Sequence, residues 1–215
     1  MLEVSTSSIS TLAQVLAESF ADDPSFEMVF NQSSGRLSSI QAFFEPFVAD
    51  ARKRGRIALA PNLQGACLWY PADVDIFDET FEQMLKEIAQ IIAERVGEEM
   101  AQFWQYLIEQ VGKHEPQQSR CEVFFLGLKS SARGQGLGHS LIQPALDYAD
   151  QHQLPCYLVS SNSRNLSFYK RHGFQEYCSI KITDTYSMTG MYRPPYESSN
   201  QNVPSLSRNS VADTK

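Results

Sequence analysis

Glu122-Val123-Phe124-Phe125-Leu126-Gly127-Leu128-Lys129, followed three residues later by Arg133-Gly134-Gln135-Gly136-Leu137-Gly138, is the stretch on which the fold turns. The first eight residues are short and dense in apolar side chains, which predicts a buried strand. The glycines punctuate a turn, and a helix follows from about Gly136 to Gln151. Pro144 lies inside that helix and should bend it, since it removes one ladder donor. Leu154–Ser160 is the next strand. Strand, turn, helix and strand over 122–160 make a βαβ crossover, so the sheet holds a parallel pair there.

Upstream, Ile9, Leu12, Val15, Leu16 and Phe20 recur at helical spacing over Ser8–Phe20, and Asp22-Asp23-Pro24 is expected to close that helix. A second helix over about Leu37–Arg52 carries Ile40, Phe43, Phe44, Phe47 and Val48. Arg56–Ala60 and Gly65–Tyr70 predict a hairpin turning at Pro61-Asn62. From Phe77 to Val111 apolar residues return every three or four positions, and Gly97 divides the stretch into two helices. These helices are expected to pack on the core, and they can also wall a substrate pocket.

Downstream, Arg164–Arg171 is a short helix, and Phe174–Ile182 and Thr185–Tyr192 are two closing strands. The elements in this order predict a mixed sheet with helices on its faces. Residues 1–192 are expected to form one domain with a helical insertion at 77–111. From 193 to 215 Pro, Ser and Asn dominate, which predicts a disordered tail.

A net charge of −7 argues against duplex nucleic acid as a partner. No apolar run is long enough to span a bilayer, and Met1–Ser5 lacks the start of a secretory signal. Cys67, Cys121, Cys156 and Cys178 are far apart without CxxC spacing, so reduced thiols, no metal and a cytoplasmic setting are expected.

Three glycines at alternate positions between a buried strand and a helix allow a tight turn with several N–H groups pointing one way. At a helix N-terminus those groups and the helix dipole suit a phosphate or pyrophosphate. A nucleoside-triphosphate loop would need GxxxxGK[ST], and no lysine follows these glycines. A dinucleotide fingerprint would need GxGxxG, whereas the spacing here is GxGxG, and Leu154–Ser160 runs into Ser161-Asn162 with no acidic residue for a ribose.

What remains is close to the pyrophosphate signature [Q/R]xxGx[G/A] of the GCN5-related N-acetyltransferase (GNAT) superfamily, with Arg133, Gly136 and Gly138 in its fixed places. Asn165 to Phe174 resembles that family's second signature, N-x-x-x-Y-x-x-x-G-F, and Gly65 to Pro71 is similar to the strand before the insertion in one bacterial and fungal branch. The resemblance covers roughly residues 55–192 and departs at Ser130, where the family often has proline.

The resemblance implies a mixed, mostly antiparallel α/β sheet flanked by helices, with the helical insertion before the central cofactor-binding strand. It implies an N-acetyltransferase that moves the acetyl group of acetyl-CoA to a primary amine by direct attack in a ternary complex. A non-catalytic acyl-CoA-binding regulatory module is the alternative. Strand 122–129 should splay from strand 154–160, with acetyl-CoA in the gap. The pantetheine arm would pair with backbone of Leu126, Gly127 and Leu128. The pyrophosphate would rest on N–H groups of Gly134, Gln135, Gly136, Leu137, Gly138 and His139, and Asn165 would hold the arm.

Tyr169 matches the family's tyrosine beside the thioester sulfur, and a phenol of pKa about 10 can donate at neutral pH; it can equally be a core aromatic. Glu122 lies 11 positions before Arg133, the offset of the base glutamate in several histone acetyltransferases of the superfamily. It is the candidate base, with a strand-edge charge or a salt-bridge partner as the other reading. The acceptor would be a small-molecule or peptide amine, selected by residues in 20–52 and 72–112, and the protein a monomer or homodimer.

Overall fold

The computed structural model describes residues 7–31 and 34–196. The expected tail therefore lies outside the described residues from 197 onward, as does the stretch Met1–Ser5. Helix α1 (Ile9–Phe20) starts where the Ser8 side chain accepts from the Thr11 amide at 3.0 Å. Leu12, Val15 and Leu16 form its buried stripe. Asp22-Asp23-Pro24 does more than close it. Asp23 caps a second helix, α2 (Pro24–Val29), with proline at its first position. Proline suits a helix start because its missing N–H has no intrahelical partner there.

Helix α3 (Arg36–Lys53) packs on α1, and the hairpin β1 (Arg56–Leu59) and β2 (Gly65–Tyr70) follows. The insertion is a helical pair, α4 (Glu79–Val96) and α5 (Glu98–Gly112), broken at Gly97 with φ 114°. Then come β3 (Cys121–Leu128), α6 (Leu137–Gln151), β4 (Cys156–Ser160), α7 (Leu166–Arg171), β5 (Gln175–Lys181) and β6 (Ser187–Arg193). Helix α6 continues through Pro144, so the missing donor does not end it. The boundary expected at residue 193 falls on the last residue of β6, where Arg193 pairs with Asp150 at 2.6 Å.

The six strands run in the order β1-β2-β3-β4-β6-β5. All neighbours are antiparallel except β3 and β4, the crossover pair. Two features of β3 create the site. Its ladder with β4 is confined to Cys121↔Cys156 and Glu122↔Tyr157, after which the two strands part. Its ladder with β2 passes from Val123 to Phe125 and skips Phe124, a β-bulge.

The bulge places consecutive phenylalanines, Phe124 and Phe125, against the aromatic core under α1–α5, while Cys121 and Val123 face the α6 side. Phe125 sits within 5.0 Å of the Phe44 and Phe47 rings, centroid to centroid. Phe44 and Phe47 are buried, and each such fully buried aromatic side chain contributes on the order of 1.5–3 kcal/mol. The α5 residue Leu107 also packs with Ile180, Ile182 and Met188 of the β5–β6 hairpin. The insertion is thereby held at both ends of the parting strands.

Candidate active site

The gap between β3 and β4 opens into a cleft of about 1160 Å³. Ten of the expected residues line it: Leu126, Gly127, Leu128, Arg133, Gly134, Gly136, Gly138, His139, Asn165 and Tyr169. Gly134 and Gly136 have φ of 77° and 78°, and a Cβ at either would meet no atom within 4 Å. The backbone there demands glycine, and the space beside it is open for a ligand. Gly136 precedes α6, whose first-turn amides and dipole face the same region.

Two of the expected cofactor-binding residues are not among those lining the cleft. Gln135 turns back to donate to the Ser131 carbonyl at 2.9 Å, and Leu137 packs against the core on the α6 side. Arg133 donates to the carbonyls of Leu128 at 3.2 Å and Ser19 at 3.0 Å, tying the end of β3 to α1 across the cleft. His139 and His172 share a ring-nitrogen contact of 3.0 Å, and His172 Nδ1 lies 2.8 Å from the Phe168 carbonyl. A carbonyl only accepts, so His172 Nδ1 bears hydrogen and its Nε2 is the atom that meets His139 Nδ1. With Arg164 and Arg171 on the same rim, this end suits phosphate oxygens.

Tyr169 is buried on α7, its ring against Phe168 and Phe174. Its hydroxyl makes no hydrogen bond among the described residues. Burial, then the Cys67 thiol and the Asp23 carboxylate, push the phenol above its ordinary value, so it stays protonated at neutral pH. Asp23, which the sequence reading treats only as a helix stop, lies in the same cleft. It is 8% exposed. Its Oδ1 accepts from the amide and hydroxyl of Ser25, and its Oδ2 accepts from the Ser161 hydroxyl at 2.6 Å.

Beside the cleft lies a pocket of about 130 Å³. Phe26, Phe43 and Phe47 from the first expected selectivity segment meet Leu85, Trp104 and Ile108 of the insertion around it. Glu122 lines this pocket and not the cleft. Its Oε2 accepts from Arg120 Nε at 2.8 Å, and Arg120 also pairs with Glu115 and donates to the Pro116 carbonyl at 2.7 Å. The salt-bridge reading of Glu122 is thus realised, in a fully buried setting. Neither Glu115 nor Arg120 carried any sequence signal, since both lie in the irregular segment before β3.

Burial first, then the Glu115 charge, raise the Glu122 carboxyl well above the ordinary range, with Arg120 opposing; burial likewise raises Glu115. A raised acid binds more protons folded than unfolded, so these groups make stability fall as pH rises from the usual glutamate value through the raised ones. Thermal melts should therefore show a loss of Tm on going upward through that window. The Glu122→Gln variant should show a shallower slope, and an unchanged slope would assign the dependence elsewhere.

Among the described residues no group of three or more His, Cys, Asp or Glu side chains converges as a metal site would require. No helix among them is long and apolar enough to cross a membrane.

The model of the acetyltransferase (GNAT) family matches residues 72–174. The fold is similar to that of a solved Corynebacterium glutamicum protein described as histone acetyltransferase HPA2 and related acetyltransferase. The two are 22% identical with a TM-score of 0.64, over 87% of this chain and 91% of that one. It is also similar to arylalkylamine N-acetyltransferase 2 of Aedes aegypti, at 16% identity and a TM-score of 0.58 over 86% and 94% of the two chains. A polyamine N-acetyltransferase of Drosophila melanogaster matches at 14% identity and a TM-score of 0.53, over 85% and 92%.

Proposed function

Since the chain belongs to the GNAT acetyltransferase family through residues 72–174, we propose that it moves the acetyl group of acetyl-CoA to a primary amine within a ternary complex. The observation that carries the reading is the open glycine cradle of Gly134 and Gly136, continuous through one cleft with Asn165 and Tyr169. The pyrophosphate is assigned to the cradle and the first turn of α6, and the pantetheine arm to Leu126–Leu128 where β3 has left β4.

The chemistry assigned to this chain's residues balances in protons. The ammonium first loses one proton, and the free amine attacks the thioester carbonyl carbon. The C–S bond then breaks, Tyr169 gives its proton to the departing sulfur, and the second N–H proton of the adduct restores the phenol. Glu122 is proposed to take the first proton. It lies three residues along β3 from Phe125, about 10 Å at strand spacing, so that proton must pass by relay across the pocket. A cytoplasmic setting belongs to the same proposal, in keeping with four free thiols.

The test is a screen of primary amines with acetyl-CoA, following free thiol and N-acetyl product together. Equal molar appearance of both is expected with at least one amine class. Tight acetyl-CoA binding with no thiol released by any amine would favour a binding module without transfer.

A further inference from the structure

Asp23 is a buried carboxylate with three hydrogen-bond donors around it and no ion pair among the described residues. The role of helix cap accounts for the contacts of Oδ1 alone. Oδ2 is held by Ser161 at the end of β4, far along the chain, and the Tyr186 hydroxyl donates to the Ser161 carbonyl at 2.8 Å. A buried anion without a counter-charge is costly, which makes such a position a place for a bound cation.

Its location narrows which cation. Asp23 lines the cofactor cleft, whereas Ser25 and Phe26, just beyond it on α2, line the apolar pocket. The same division falls on β3, with Phe125 on the pocket and Leu126 on the cleft. Asp23 thus stands where the two cavities meet, close enough to Tyr169 for its charge to act on that phenol. The carboxylates at the other part of the pocket, Glu115 and Glu122, already share Arg120. Asp22 and Glu27 also line the cleft but are exposed to solvent, so Asp23 is the buried carboxylate left for an ammonium.

The pocket sets the rest of the molecule. Its volume is about 130 Å³ and its walls are mostly aromatic and aliphatic. An apolar cavity of about 150 Å³ is enough to admit benzene. We propose that the acceptor is a primary amine bearing a single ring-sized apolar group, its ammonium on Asp23 and its ring between α2, α3 and α5. This rests on the acetyl-transfer reading for the reaction and extends it to the substrate class. A long polyamine or a lysine side chain on a peptide would leave the aromatic walls unfilled.

The test reads binding without turnover, with the protein saturated by CoA. Phenethylamine and its neutral analogue 2-phenylethanol are titrated by calorimetry into the wild type and Asp23→Asn. Asparagine caps a helix about as well as aspartate, so α2 is retained. The wild type should prefer the amine by about tenfold or more, and Asp23→Asn should bring the two ligands to within about threefold, the alcohol unchanged, as expected for loss of a charge-assisted contact. Spermidine should bind the wild type about tenfold more weakly than phenethylamine, since it cannot fill the apolar walls. Ile108→Trp, which fills the pocket, should weaken both ring ligands and spare CoA. An amine preference that survives in Asp23→Asn, an equal loss of both ligands there, or tighter binding of spermidine would each overturn the proposal. The expected affinities, with no acetylated amine formed when acetyl-CoA replaces CoA, would overturn the transfer reading instead.

Discussion

Replacing Gly136 by valine is expected to weaken acetyl-CoA binding by about a hundredfold or more, equivalent to about 2.8 kcal/mol. Two effects add. At φ 78° the residue is left-handed, a conformation costing an L residue roughly 1–2 kcal/mol and a β-branched one more. The new side chain has no neighbour within 4 Å of its Cβ, so it does not clash with protein; it stands in the cleft where a phosphate is assigned. Strain alone acts on the folded state whether or not ligand is present. Gly97, at φ 114° in the α4–α5 break and equally open, supplies the control. Gly97→Val should lower Tm and leave acetyl-CoA affinity intact, whereas Gly136→Val should lower both. Undiminished affinity in Gly136→Val by calorimetry would move the pyrophosphate away from this loop.

The cradle was legible because its chemistry is local. Glycine spacing, a preceding apolar run and a following helical pattern all lie within thirty residues, and the crossover rule then places the two strands side by side. The aromatic pocket was legible only as two segments, 20–52 and 72–112, because the contact between Phe43 and Trp104 joins parts of the chain sixty residues apart. Helix α2 was missed for a definite reason. Asp-Asp-Pro after a periodic run is a stop signal, yet proline at a first helical position and aspartate before it are a start signal as well. Reading the triplet one way hid Asp23 from the site. The bulge at Phe124 was invisible for another reason: in an unbroken apolar run no alternation exists to be interrupted. Glu122 was placed at a strand start correctly, but its partner Arg120 is two residues away in a segment without periodicity, so its burial could not be foreseen.

Tyr169→Phe is expected to lower kcat by about a hundredfold or more at unchanged acetyl-CoA affinity, within the range for loss of a general acid. The substitution is clean. The phenyl ring keeps its packing against Phe168 and Phe174, and no hydrogen bond of the hydroxyl among the described residues is lost, so Tm should hold or rise slightly. The raised phenol decides how the proton moves. An ordinary thiol has a pKa of about 8.5 and an ordinary phenol about 10, so a proton passing from phenol to thiolate already runs uphill. Burial beside Cys67 and Asp23 steepens that climb. Tyr169 can therefore donate only if it is re-protonated as the C–S bond breaks, and the N–H proton of the adduct, made acidic by the positive charge on nitrogen, is the available source. This coupling predicts that the wild type keeps full kcat to well above pH 8, with the alkaline limb beyond the ordinary tyrosine range. The Phe variant, relying on water to protonate the thiolate, should lose its dependence on that limb as it loses rate. Full kcat in the Phe variant would remove the phenol from the reaction and leave proton delivery to solvent.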